Sequence, residues 1–170
     1  MDFAALAKAR YSLRKFDARP VEKEKLDQIL EAGRNAPTAH NLQPQRIFVM
    51  QSPEALEKAD SCMFCHFHPP VVLVVAYDAQ EAWHREGDGK NHGEIDAAIA
   101  VTQMMLQAAD LGLGTTYVGM FDPVKFVETF PEMAGLTLVA ALPLGYPAEA
   151  AHPSKFHDSR KPVEDLVQYL

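Results

Sequence analysis

The sequence predicts an α+β fold, built in three layers around a mixed sheet. Three observations carry that expectation. Helix-like and strand-like segments alternate, but several connections are too short for regular crossovers. Val71-Val72-Leu73-Val74-Val75-Ala76 is apolar throughout and mostly β-branched, which is the pattern of a central strand covered on both faces. Residues 95–111 hold 12 apolar residues among 17, so a helix there must be covered nearly all round. The strands are few and come late, which argues against a doubly wound sheet.

Each element has a local reason. Phe3, Leu6 and Ala7 share one face of a helix over residues 2–10. Pro20 breaks the chain. Leu26, Ile29, Leu30 and Gly33 share a face of a helix over 22–34, with charged residues covering the rest. Asn35 to Asn41 is a loop by its Pro and Asn content. Residues 47–50 form a short strand. Ser52 is a natural N-cap and Pro53 a natural first helical residue, opening a helix to about Ala59. After the strand 71–76, residues 80–93 form a glycine-containing loop long enough for a lid, with Trp83 as its docking residue. In the helix 95–111 the polar residues Asp96, Gln103, Gln107 and Asp110 fall on one narrow stripe. A dimer interface covers such a helix more easily than one small domain does. Gly112 and Gly114 end it. A strand over 115–118, a helix over 123–130 capped by Asp122, and a strand over 136–142 ending at Gly145-Tyr146-Pro147 follow. Residues 148–161 form a polar arm, and Pro162 starts a last helix to Leu170.

The 170 residues, 48% hydrophobic and 23% charged, fit one domain over 1–170 and exclude a disordered, collagen-like or disulfide-stapled chain. No apolar run reaches the ~20 residues of a membrane span. A net charge of −7 argues against nucleic acid and anionic membrane as partners. Met1 to Ala5 lacks a basic stretch leading into an apolar one, and there are only two cysteines, so the expected compartment is the cytoplasm.

Lys8, Arg10, Arg14, Lys15 and Arg19 crowd one short window against the single acid Asp17. If the chain is extended there, Arg10, Ser12 and Arg14 point the same way and can converge on an anion. Ala36-Pro37-Thr38-Ala39-His40-Asn41-Leu42-Gln43-Pro44 is a rigid polar loop of the kind that carries function. Leu111 to Gly119 begins like a dinucleotide fingerprint, but has Tyr117 where a third glycine belongs and follows a helix instead of a strand. Arg160 and Lys161 stand before a helix start, where an anion is favoured.

Taken together, these segments resemble the nitroreductase family of flavin mononucleotide (FMN) dependent oxidoreductases. The opening Arg-x-Ser-x-Arg-x-Phe stands as Arg10, Ser12, Arg14 and Phe16, and the second block as Ala36 to Pro44 with Thr38 in place of Ser. Asp96 to Gly119 matches the family's helix followed by Gly-Leu-Gly-Thr, and Gly145 to Pro147 and Arg160 to Pro162 match two later elements. The resemblance covers almost the whole chain.

It implies a three-layer α/β/α nitroreductase-like fold with a mixed, mainly antiparallel central sheet flanked by helices. It also implies a homodimer with FMN at the subunit interface, reduced by NADH or NADPH and reoxidised by a nitroaromatic, quinone or similar small acceptor. By the same resemblance, Arg10, Ser12 and Arg14 hold the FMN phosphate and pyrimidine edge. Pro37, Thr38, Ala39 and Asn41 reach that FMN from the other subunit. Thr116, Tyr117 and Gly119 border the isoalloxazine, and Arg160 with Lys161 closes on the phosphate. The chemistry is at flavin N5, so no catalytic side chain is required.

Three departures bear on substrate. The chain is shorter than many members, Gln45 follows Pro44 where an aromatic is usual, and Tyr117 stands where Trp is common. Phe64, His66 and Phe121 are the candidate pocket residues. Cys62-Met63-Phe64-Cys65-His66 matches a haem-attachment pattern, but no export signal accompanies it; zinc, a reversible dithiol or a packed segment are the other readings. Two alternative functions stand beside the enzyme: a flavin-binding, redox-sensing module with little turnover, and a Cys/His metal or dithiol redox protein using Cys62 and Cys65.

Overall fold

Most helices begin where the sequence supplies an oxygen for their free N–H groups. The computed structural model describes residues 2–170. In helix α1 (Phe3–Ala9) the Asp2 carboxylate accepts from Ala5 N at 2.9 Å. In α3 (Pro53–Ser61) the Ser52 hydroxyl accepts from Ala55 N at 3.2 Å. In α5 (Pro123–Thr129) the Asp122 carboxylate accepts from Lys125 N at 3.0 Å. Helices α2 (Lys23–Arg34) and α4 (Gly93–Asp110) have no such side-chain cap and are held by packing.

Four strands, β1 (Gln45–Met50), β2 (Val71–Tyr77), β3 (Gly114–Thr115) and β4 (Thr137–Gly145), form one sheet in the order β1-β2-β4-β3. Each neighbouring pair is antiparallel. Among the described residues, parallel pairing enters only at the bridge between Ser12 and Thr115. Val71, Leu73, Val75, Ala140, Leu142 and Leu144 pack against α2 and α4. Val72, Val74 and Ala141 pack against Ala59 of α3, Phe126 of α5 and Met133. The predicted three layers and α+β class are therefore present. Among the described residues, no helix is long and apolar enough to cross a membrane.

Helix and strand ends agree with the sequence reading to within two residues, with three exceptions. β4 runs on to Gly145, past the expected Leu142. The strand expected over 115–118 is only Gly114–Thr115, with a lone bridge from Val118 to Ala141. The cause lies across the ladder: continuing the register sets Thr116 opposite Pro143, which has no N–H to donate. The expected helix over 162–170 is a single 3₁₀ turn, Val163–Asp165. Every residue from 161 to 170 is exposed, and a helix that short does not persist without a surface to pack on.

A polar cluster ties three elements together. The Tyr146 hydroxyl donates to Glu22 at 2.6 Å and accepts from Lys25 Nζ at 2.8 Å, and Lys25 also donates to Leu111 O at 3.1 Å. Arg19 lies 4.0 Å over the Tyr146 ring and pairs with Glu22 at 2.5 Å. The Tyr146 hydrogen bond first, with a backbone N–H and Arg19 after it, holds the Glu22 carboxyl down at about 2. A depressed carboxyl stabilises the fold above its unfolded value near 4.5, and that contribution is lost as pH falls towards 2. Tyr146→Phe should thus lower the thermal midpoint at neutral pH, and its gap to wild type should narrow below pH ~4.5. A gap that stays constant through that window would rule this linkage out.

Candidate functional site

The segment after α1 leaves the helix in extended conformation at Arg10 (φ −58, ψ 130). Leu13 N donates to Thr115 O at 2.9 Å, docking the segment on the sheet edge. The Leu13 side chain is 1% exposed, so its neighbours Ser12 and Arg14 face the other way. Gly114 makes this docking possible, because a Cβ there would lie 2.4 Å from Leu13 Cδ2.

On the outward side Arg10, Ser12 and Arg14 line a cavity of about 280 Å³ with Ser154, His157 and Arg160. An adjoining cavity of about 250 Å³ adds Lys15 and His152. The polar arm is folded back here by Ala148 N donating to Lys15 O at 3.1 Å and Asp17 N donating to Tyr146 O at 2.9 Å. Arg160 donates to the carbonyls of Ser159 (2.8 Å) and His157, which fixes its head over the cavity. Arg19, Arg34, Arg46 and Arg85 each pair with a carboxylate. Arg10, Arg14 and Arg160 pair with none among the described residues, so three uncompensated guanidinium groups share one cavity. Lys161 is exposed beside them.

The loop 36–44 lies elsewhere, and neither arginine-lined cavity takes a residue from it. His40, Asn41 and Gln43 hold φ of 53, 56 and 54, a left-handed region that costs a non-glycine residue on the order of 1 kcal/mol or more. Thr38 Oγ1 accepts from Gln43 N at 3.1 Å, and Gln43 Nε2 donates to Asn41 O at 3.0 Å. Ala39 N donates to Asp96 Oδ1 at 3.0 Å. Pro37 and Asn41 are exposed, Thr38 and Ala39 half-buried.

In the third segment Thr116 is buried, Tyr117 exposed, and nothing stands within 4 Å of a Cβ built on Gly119. Burial and the Glu94 carboxylate push the Tyr117 phenol above its ordinary value, so it stays protonated and able to donate. Met63 bridges Phe121, and Phe64 N donates to Met120 O at 3.3 Å. Phe64 lies beside Met120 on the exposed side, while Phe121 turns inward with buried Met63 and meets Phe126 edge-on at 5.6 Å, so the two predicted pocket phenylalanines are not brought together. Phe64 and Met120 are both 64% exposed and form an open apolar rim. His66 is instead turned to Asp60, 2.9 Å from Nδ1 to Oδ2. Cys62 is buried, donating to Lys58 O at 3.3 Å, and Cys65 is likewise a free thiol. Among the described residues no group of three His, Cys, Asp or Glu is placed to hold a metal.

The role of Asp96 has no signal in the sequence. It shares the polar stripe of α4 with Gln103, Gln107 and Asp110, yet it is only 2% exposed and serves a loop 57 residues away. Trp83 stacks on His40 (5.2 Å, 24°) and meets His92 edge-on (4.8 Å, 65°). Ring partners on separate loops leave no periodic trace.

The family model for the nitroreductase family matches residues 7–67 and 63–146. The chain belongs to the nitroreductase family. The NADH dehydrogenase of Thermus thermophilus is 30% identical, over 98% of this chain and 95% of its own. A nitroreductase family protein of Clostridium difficile superposes with a TM-score of 0.92 at 37% identity, covering 99% of this chain and 98% of that one. A structure from Exiguobacterium sibiricum, solved in complex with FMN, shares the fold with a TM-score of 0.87 at 23% identity, over 100% of this chain and 98% of its own.

Proposed function

We propose that this nitroreductase-family chain is an FMN-dependent oxidoreductase, working as a homodimer in the cytoplasm. It passes electrons from NADH or NADPH to a nitroaromatic, quinone or similar small acceptor. The observation that carries the reading is the cavity where Arg10, Arg14 and Arg160 meet Ser12 with no carboxylate paired to them among the described residues. Such a donor set suits a phosphate dianion on one side and the carbonyl–amide edge of a planar ring on the other. The residues therefore fit FMN.

FMN, when bound, supplies hydride acceptance from the nicotinamide and hydride donation to the acceptor at its N5. The chain's own residues bind and orient. Arg10, Ser12 and Arg160, with Lys161 beside it, hold the phosphate. Arg14 would lie at the pyrimidine edge, where a fixed cation would favour the reduced ring. The 36–44 loop of the second subunit offers Pro37, Thr38, Ala39 and Asn41. Tyr117 and Gly119, with the Thr116 backbone, border the ring system, and the open rim of Phe64 and Met120 faces the acceptor, with half-buried Phe121 behind it. His66, engaged with Asp60, is at most the outer edge of that pocket.

The test is the absorption spectrum of purified protein under anaerobic conditions, before and after NADH and then NADPH. Flavin bands that bleach, and return with a quinone or nitro compound, are expected. Bands that persist would favour a binding module with little turnover. A colourless protein that refuses added FMN would overturn the flavin reading.

A further inference from the structure

We infer that Asp96 is a positioning residue for the loop 38–43, acting through the Ala39 N–H, and that Trp83 clamps the same loop from outside through His40. The inference rests on the reading of that loop as a flavin contact.

The loop cannot keep its shape by itself. Three of its residues are non-glycines with positive φ, so its relaxed conformations lie elsewhere. Its internal hydrogen bonds are those of one 3₁₀ turn, Asn41 N to Thr38 O at 2.9 Å and Leu42 N to Ala39 O at 3.2 Å, and two exposed side-chain bonds, from Gln43 N to Thr38 and from Gln43 Nε2 to Asn41, that compete with water. The bond from Ala39 N to Asp96 is of another kind. Asp96 sits in the first turn of α4, one residue from fully buried Ala97, and Val101 and Met104 anchor the same helix in the core. The carboxylate thus joins a strained surface loop to a rigid helix.

A carboxylate at 2% exposure is expensive. Asp96 accepts one backbone N–H through Oδ1, while Oδ2 is buried without a protein partner. An alanine would suit this apolar helix better. What the carboxylate contributes is the location of Ala39, and with it of Thr38 and Asn41.

Trp83 acts from the other side. It is the only tryptophan in the chain. Its carbonyl accepts from His92 N at 2.9 Å, so the ring is pinned at the start of the helix that carries Asp96. From there it stacks on His40, the left-handed residue next to Ala39. Helix start, Trp83 and loop form one unit whose parts converge on the Ala39–His40 peptide.

The experiment compares wild type with Asp96→Ala, Asp96→Asn and His40→Asn, each purified as apoprotein. Asparagine at 96 keeps an oxygen to accept the Ala39 N–H, and asparagine at 40 tolerates the left-handed backbone while removing the ring. The readouts are the FMN dissociation constant, the thermal midpoint, and Trp83 emission without FMN. Asp96→Ala should weaken FMN binding by about tenfold or more with no matching loss of thermal midpoint, and Asp96→Asn should stay within about threefold of wild type. Trp83 emission should move to longer wavelength in Asp96→Ala and His40→Asn, but not in Asp96→Asn. Asp96→Ala binding FMN like wild type, or Asp96→Asn failing equally, overturns the inference. If Asp96→Ala does not fold, His40→Asn decides: unchanged emission and FMN affinity overturn it. If wild type itself takes no FMN, the flavin reading has failed, and emission alone judges the positioning role, with an unshifted Asp96→Ala spectrum sinking it.

Discussion

Arg10→Ala is expected to weaken FMN binding by about a hundredfold, the largest loss from any single change in the arginine cavity. A hydrogen bond from a charged donor contributes about 1.5–3 kcal/mol, and each 1.4 kcal/mol is tenfold in affinity. A guanidinium gripping a phosphate with two parallel bonds lies at the upper end of that range. Two features of Arg10 raise its contribution. It has no carboxylate partner among the described residues, so its charge is not divided between an ion pair and the ligand. It also stands at the end of α1, half-buried, where less side-chain freedom remains to be lost on binding. Arg10→Lys should fall between the two, because an ammonium keeps the charge but not the fork. The measurement is a flavin-fluorescence titration of each apoprotein at low and at high salt. Wild-type affinity should drop as salt rises, and Arg10→Ala should show a shallower dependence. Equal affinities for wild type and Arg10→Ala would remove the phosphate from this cavity.

The predicted convergence of Arg10, Ser12 and Arg14 was legible because it depends on one local fact. An extended segment alternates its side chains, and burying Leu13 sends Ser12 and Arg14 outwards. β2 and α4 were legible for a similar reason, since covering on both faces or all round leaves an unbroken apolar record. The helices opening at Pro53 and Pro123 carried their own caps. What failed was nonlocal. The length of β3 is set by Pro143 on the neighbouring strand, and no property of Thr116 or Tyr117 announces it. The tail from Val163 to Leu170 has apolar residues at plausible helical spacing, but nothing in its own protomer for them to pack on. The burial of Asp96 was not legible, because its environment comes from a loop far away in sequence. Cys62 and Cys65 fit a redox or metal spacing, yet Cys62 is part of the packing under α3 and α5. A short motif specifies spacing along the chain and not which way each side chain turns.

Ile99→Glu should yield a folded monomer that has lost its flavin. Within one protomer, α4 buries Ala97, Val101, Met104 and Ala108 against its own sheet. A second stripe of the helix, Ile95, Ile99, Thr102 and Leu106, follows the spacing of a helix face, and Ile95 on it is 39% exposed. The tail adds Val163, Leu166, Val167, Tyr169 and Leu170, all exposed. In the proposed homodimer a second copy of the chain would cover such surface, and with two-fold symmetry each substitution would enter the interface twice. An uncompensated buried charge costs about 3–5 kcal/mol, so two of them raise the dimer dissociation constant by at least about ten-thousandfold. Ile99 is half-buried on the side away from its own core, so the monomer should survive the change. Loss of FMN is expected because, in the proposed dimer, the 36–44 loop and the arginine cavity that serve one flavin come from different subunits. Sedimentation and the flavin spectrum on the same sample separate the possibilities. A dimer that keeps its flavin would move the interface away from this face of α4. A monomer that keeps its flavin would mean that one subunit completes the site by itself, and the partner's loop would have no part in it.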